Sequence, residues 1–325
     1  MSRPAARRRG GRRLAGLRLA LGLSLVPLPA LSAEAVVTAQ GADAVDVIDI
    51  DAGTIVARIP VAGSPAGVAL SPDRRTAYVT RPDGPGIAMI DLPSRKVVQM
   101  LPLPGGPLGI AVNPKSGAVY VADWYAERLF VLVRTEAGLR LDGEVAVGAS
   151  PSGIAVTPDG ATVLVANRAA DTVSVVDAAT RRQTTMIPVG RHPFGITLDA
   201  DAKRAYTANV TGDDVSVIDL ATSREIGRVK TGQRPYVVAL AAGRGFVTDQ
   251  YSGTVTVFDR ATLEPAARIE VGDHPEGISA SADGRSLYVA NWGSNTLSVI
   301  DADRLTVTRE IRTDDGPRAF GDFLR

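Results

Sequence analysis

Two histidines, two tryptophans and no cysteine set the limits of the chemistry this 325-residue chain offers. His192 and His274 each stand one residue before a proline, Pro193 and Pro275. Neutral imidazoles with a carboxylate such as Glu276 nearby are the ligand types for a divalent metal or a haem iron. No close ligand spacing accompanies them, and the plainer reading is a pair of exposed loop residues. The aromatic residues form a sharper pattern. Trp124 with Tyr125, Gln250 with Tyr251, and Trp292 each follow a short β-rich run, while Phe194, Tyr236, Glu276 and Arg318 each follow a proline and Arg234 precedes one. Aromatics and arginines gathered in loops are the residue types that anchor ligands or partner proteins, although large rings also serve as fillers between packed layers. These twelve residues are the candidate binding set: Trp124, Tyr125, His192, Phe194, Arg234, Tyr236, Gln250, Tyr251, His274, Glu276, Trp292 and Arg318. No nucleophile–base arrangement and no metal motif accompany them, so no catalytic residue is assigned and no cofactor is expected. The expected occupant is a protein partner or a small ligand.

What positions these residues is a repeat. Segments of the type Pro151-Ser152-Gly153-Ile154-Ala155-Val156 begin at Pro65, Pro107, Pro151, Pro193, Pro235, Pro275 and Pro317, at intervals of 42, 44, 42, 42, 40 and 42 residues. A period near 42 signals a repeat architecture before any single residue is weighed. Each copy continues with a turn of the Ser-Pro-Asp-Gly kind, in which proline pre-sets φ, and then a run such as Val163 to Asn167. An alternating segment follows, closing at Asp49, Asp91, Val133, Asp177, Asp219, Asp259 or Asp301, and then a fourth run such as Gln183 to Val189. The recurring aspartates read as side-chain caps of turns, and Asn167, Asn209 and Asn291 with Asp123 and Asp249 as stabilisers of the next loop. Four short strands per repeat, called A to D here, describe the blade of a β-propeller. The ends are out of phase with the repeat: the chain enters at a strand B near Val36 and finishes on a strand A from Pro317 to Leu324. The two ends are expected to complete one blade together. The fold class is therefore all-β, a seven-bladed β-propeller over 36–325 closed by a composite blade from both termini, which removes open edges. Strand ends alternate between two faces. The loops from B to C and from D to A share one, termed the top, and all twelve candidate residues fall there.

Residues 1–33 carry seven arginines and no acidic residue, and the apolar run from Leu14 to Leu31 is broken by Pro27 and Pro29. This is the composition of a secretory signal peptide with cleavage after Ala33 or Ala35. The run is too short and interrupted for a stable membrane anchor. Arg12-Arg13 resembles a twin-arginine signal, but the residues after it fit that route poorly and the general secretory route is favoured. The expected location is periplasmic or secreted. The net charge of +1 becomes −6 without those seven arginines, so no electrostatic grip on nucleic acid is expected. The absence of cysteine excludes disulfides, thiolate zinc sites, covalent c-type haem and a lipoprotein anchor. Stability must come from packing, and a monomer is expected.

The runs Ala77-Tyr78-Val79-Thr80, Val119-Tyr120-Val121-Ala122-Asp123 and Leu287-Tyr288-Val289-Ala290-Asn291, each beside a Val-Ser-Val-Ile-Asp-like strand, resemble the YVTN family of β-propeller repeats over 36–325. The resemblance implies the fold firmly and the function only in outline. Proteins of this architecture include exported propellers, archaeal surface-layer proteins, propellers tied to pyrroloquinoline-quinone-dependent oxidation, and more distantly d-type haem domains and lactonases. The segment Gly316-Pro317-Arg318-Ala319-Phe320-Gly321 looks most like exported propellers of quinoprotein metabolism. Export, the lack of a nucleophile or metal motif and the aromatic top face point to a non-catalytic binding or scaffold module, and the resemblance implies that it is accessory to quinoprotein or cytochrome-linked oxidation. The alternatives are a d-type-haem-like cofactor carrier or a lactonase-like enzyme at the mouth of the central channel, and, more weakly, a DNA-binding protein.

Overall fold

The structure is a computed structural model that describes residues 1–2, 33–199, 201 and 203–325. The expected export signal therefore lies almost wholly outside the described residues. From Glu34 onward the chain forms seven sheets in a ring, antiparallel except where one short C-terminal strand joins the second. In the fourth blade the strands run Pro151–Val156, Thr162–Asn167, Thr172–Asp177 and Arg182–Pro188, each paired with the next. Their burial follows from the sequence pattern. The strand B run Val163-Leu164-Val165-Ala166-Asn167 is buried throughout because both faces of a blade meet neighbouring blades, while the outermost strand alternates. That outer edge is exposed, and it carries charges in most blades (Arg58, Lys96, Arg224, Arg228, Arg268, Arg309), which discourage pairing with other chains.

The Pro-x-Gly start of each inner strand has a steric cause. A Cβ at Gly153 would lie 2.3 Å from the carbonyl oxygen of Phe194, and one at Gly109 would lie 1.6 Å from that of Ser152. Each glycine therefore lets its strand close onto the backbone of the next blade. Hydroxyls of strand B use the same carbonyls: Thr80 Oγ1 donates to Leu108 O at 2.8 Å and Thr248 Oγ1 to Glu276 O at 2.7 Å. Blade-to-blade contact near the axis is thus hydrogen-bonded as well as packed.

Turn chemistry does what its residue types imply. The Asp177 carboxylate accepts from the Thr180 backbone N–H at 2.7 Å, and Asp219 does the same for Thr222. These bonds hold both carboxyls below the usual range, the backbone donor ranking first at Asp177 and the Thr222 hydroxyl first at Asp219. The residues at the end of strand B reach further than the adjoining loop. Asn167 accepts from Gly148 N–H in the incoming connection and donates to Ser174 Oγ at 2.8 Å, and Asp249 bridges Gly232 N–H to Thr256. They tie strand B, strand C and the incoming connection together, fully buried. The 40-residue interval is explained by the two-residue turn at Ala242 and Gly243, both with positive φ, in place of the longer hairpin.

The first blade consists of Glu34–Ala39, Ala44–Asp49 and Thr54–Pro60, and the chain's last residues complete it. Ala39 bridges Pro317 and Ala35 bridges Leu324; Val36 N–H donates to Phe323 O at 2.8 Å and Arg318 N–H to Thr38 O at 2.9 Å. The strand starts at Glu34, two residues before the expected Val36, because Glu34 and Arg325 exchange backbone hydrogen bonds. A further difference is that Phe320–Asp322 leaves this blade and pairs in parallel with Gly67–Leu70 of the second. Seven residue steps separate Pro317 from Leu324 while only four separate Ala39 from Ala35, so the surplus must bulge toward the axis. Gly321 permits it, with φ 121° and a position where a Cβ would meet Val68 O at 2.1 Å. One core of buried side chains then spans the closure, joining Val36, Val45 and Ile48 to Val68, Val79 and Ile90 on one side, Leu297 and Ile311 on the other, and Phe323 from the end of the chain.

Candidate functional site

The residue before six of the seven anchor prolines, all but Gly106, sits in a connection that forces left-handed backbone. Ser64, Ser150, His192, Arg234, His274 and Gly316 all have φ between 50° and 69°. Side-chain oxygens from the preceding turn hold several of them: Asp171 accepts from His192 N–H at 2.7 Å and Asp213 from Arg234 N–H at 2.9 Å. The backbone geometry is therefore set from outside, and the side chain at this position is free to vary. The residue after the proline points the other way. Ala66, Leu108, Ser152, Phe194, Tyr236, Glu276 and Arg318, one per blade, converge on the ring axis, and of these only Tyr236 and Arg318 are less than fully buried.

The structure accordingly divides most of the candidate residues into two groups. The first is an axial cluster around Phe194, whose ring lies 4.5 Å from Tyr236, 5.6 Å from Phe320 and 6.4 Å from Trp124 by centroid. Beside it Arg318 Nε donates to Glu276 Oε2 at 2.5 Å, and Gln250 Nε2 donates to Glu276 Oε1 at 2.8 Å. Both carboxylate oxygens of the buried Glu276 are thus occupied. Burial raises the Tyr236 pKa, and the Glu276 charge raises it further. Burial alone would lower that of Arg318, but Glu276 and Tyr236 leave it raised. Arg168, not among the candidates, places its guanidinium 5.5 Å over Trp124. The remaining missed member, Phe320, is carried inward by the parallel departure of the C-terminal segment. Arg168 stands in the same loop position as Trp124 and Gln250, which is the signal that would have found it; nothing in the repeat foretells Phe320.

The second group is a row on the rim. The Arg234 guanidinium lies 4.6 Å over the Tyr251 ring, Tyr251 is 5.7 Å from His274, and His274 is 5.9 Å from Trp292, the last two pairs edge to face. Tyr251 is 55% exposed and Trp292 41%. Asp273 Oδ1 lies 3.0 Å from His274 Nδ1 but without hydrogen-bond geometry. Two candidates join neither group. Tyr125, 78% exposed, lies over Gly106, whose missing Cβ leaves room for the ring. His192 is half-buried with its Nδ1 unpartnered. Among the described residues no three His, Asp or Glu side chains are grouped to hold a metal ion.

Below the axial cluster the channel opens into a cavity of about 520 Å³ walled by the inner strands, with Phe194 and Phe320 in its lining and Arg260 and Asp322 among its charged groups.

No family model and no curated protein matches the chain. Solved structures do. Hydrazine synthase of Kuenenia stuttgartiensis superposes with a TM-score of 0.72 at 20% identity, over 79% of this chain and 89% of that one. A functionally unknown protein of Desulfotomaculum acetoxidans DSM 771 gives 0.73 at 15% identity, over 89% and 99%. The dihydro-haem d1 dehydrogenase NirN, in complex with DHE, gives 0.63 at 18% identity, over 90% and 74%. At these identities the likeness shows the fold: the chain is a seven-bladed β-propeller.

Proposed function

We propose that the protein is an exported, monomeric, non-catalytic binding module that presents the rim row to a protein partner, as an accessory to a quinoprotein or cytochrome-linked oxidation. The observation that carries the reading is the row itself: Arg234, Tyr251, His274 and Trp292 stacked in sequence across adjacent blades with two large rings exposed. Rigid aromatic and arginine side chains offered together are what a partner's hot spot fits. The connection with redox systems rests on the quinoprotein-like closing segment and on two fold neighbours, a hydrazine synthase and a dihydro-haem d1 dehydrogenase.

The cofactor-carrier and lactonase readings need space at the channel mouth. Phe194, Tyr236, Glu276 and Arg318 fill that place, and the His274 ring is flanked by Tyr251 and Trp292 rather than aimed at the axis. The residues present do not fit a macrocycle there. Photo-crosslinking from the rim in the native compartment tests the proposal. The wild type is expected to capture one recurrent protein that the Tyr251→Ala/Trp292→Ala variant, melting normally, does not. Equal capture by both would sink the reading, and a visible absorption band lost in His192→Ala or His274→Ala would revive the haem alternative.

A further inference from the structure

We infer that the central cavity is a second binding site, specific for an uncharged apolar molecule of about the size of two fused aromatic rings or a medium-length alkyl chain. It is independent of the rim.

The cavity is blind at one end. Phe194 and Phe320 meet edge to face at 5.6 Å, and both line the cavity, so the axial cluster acts as its roof. The walls come from the part of each inner strand that follows the Pro-x-Gly start, and they descend to the face carrying the A-to-B hairpins. Val112, Ile154, Val156, Leu198 and Leu240, from four different blades, are only partly buried although they stand inside the ring. Branched aliphatic side chains facing water from inside a closed channel keep an apolar surface that a ligand can cover. At about 520 Å³ the space falls within the range of small-molecule sites and far above a single water.

The mouth selects against charge. Arg260 Nη2 is bonded to Asp199 Oδ1 at 2.5 Å, and Arg74 is paired with Asp322. Each cation there already has its anion, so an ionic ligand would enter without a counter-charge. Asp322 is half exposed to the lumen yet enclosed by protein, and burial pushes its pKa up against the opposing pull of Arg74. A ligand with one neutral polar atom can meet these groups, or the lumenal backbone, while its hydrocarbon part fills the pit.

The test is a fluorescence titration with N-phenyl-1-naphthylamine, an uncharged two-ring probe that brightens on leaving water. One saturable site per chain is expected, with octanol displacing the probe. Ala155→Trp and Ala280→Trp fill the lumen from different blades, and each is expected to weaken binding at least tenfold with an unchanged circular dichroism spectrum. Val156→Lys, which places a charge among the aliphatics, replaces either variant if it fails to fold. Tyr251→Ala/Trp292→Ala should bind the probe as the wild type does. Absence of saturable binding overturns the inference, as does undiminished binding in the filled variants. Loss of probe binding in the rim variant overturns it too, since the site would then lie on the opposite face; failure of partner capture at the rim leaves this result unaffected.

Discussion

The carboxyl groups of Asp46 and Asp314 meet in a buried site at the seam of the ring, where the backbone N–H of Asp314 donates to Asp46 Oδ2 at 2.9 Å. Asp46 Oδ1 and Asp314 Oδ2 have no hydrogen-bond partner, and Arg58 pairs with Asp314 from outside. Four other blades put Ser174, Ser216, Thr256 or Ser298 where Asp46 stands, each bonded to the Asn or Asp that ends strand B. In the composite blade that residue is Ala39, so the carboxyl pair replaces the clamp.

Burial, reinforced by the Asp314 charge, pushes the Asp46 pKa from 3.8 up to about 7. Between those values the folded chain holds a proton that the unfolded chain has released. Stability from this group is therefore greatest at acid pH, declines as pH rises through the window by at most about 1.4 kcal/mol per unit, and is fully lost above the folded pKa. Asp46→Asn imitates the protonated acid. The variant should be the more stable form at about pH 8, and its advantage should shrink as pH falls through the window and vanish only below the unfolded value of 3.8. Melting midpoints across that range decide it; parallel curves for the two proteins would exclude a protonated Asp46 in the folded chain.

Glu276 and Arg318 form another ionic contact withdrawn from water, with side-chain exposures of 4% and 16%. Removing one member strands the other charge beside Tyr236 and Phe320. Glu276→Ala should cost about 3 to 5 kcal/mol in urea unfolding, and Glu276→Leu/Arg318→Met should recover most of that. If the double variant is no better than the single one, the pair is needed for the shape of the axial roof rather than merely tolerated within it.

The blade count, the composite closure and the turn caps were legible because each is a local device repeated at a fixed period: a proline, a glycine beneath a neighbouring carbonyl, an aspartate over a turn. The grouping of the top-face residues was not. Phe194 and His192 are two positions apart, yet positive φ at the first-placed His192 turns it away from the axis that Phe194 fills. The cavity was hidden for a related reason, since Ile154 and Val156 alternate like any core strand, and only the ring's diameter leaves them facing a lumen. The inward step of Phe320 depends on a three-residue surplus that shows only when both strand partners are known.

His192 offers a test of the left-handed connection. A non-glycine residue at φ 55° carries a conformational penalty, on the order of 1 kcal/mol. Because the loop is held by the Asp171 bond to the backbone N–H, which glycine keeps, His192→Gly should be neutral or stabilising by up to about 1 kcal/mol, glycine's freedom in the unfolded chain offsetting part of the gain. His192→Val, branched at Cβ, should lose stability. Denaturant midpoints for the pair settle the matter, and marked destabilisation by glycine would show that the imidazole packs in a way its unpartnered Nδ1 does not suggest.

Closure itself can be removed. Deleting residues 316–325 takes away the backbone bonds from Val36, Thr38 and Gln40 to the C-terminal segment and the burial of Phe323, which is fully enclosed, and of Phe320 at 6% exposure. Each ring is worth roughly 3 to 5 kcal/mol on the scale of large-to-small core changes, against a total stability for a domain of about 5 to 15 kcal/mol. Two strands would also lose their inner partner, Glu34–Ala39 in the first blade and Gly67–Leu70 in the second. Unpaired edges of that kind recruit other chains, so the truncated protein should aggregate rather than soften, as light scattering during refolding will report. Phe323→Ala alone should lower the melting midpoint far more than Tyr125→Ala, whose ring is already in water. A truncated chain that stays monomeric and melts within about a degree or two of the intact one would mean that the ring closes through the packing of the first and last blades, without its C-terminal strand.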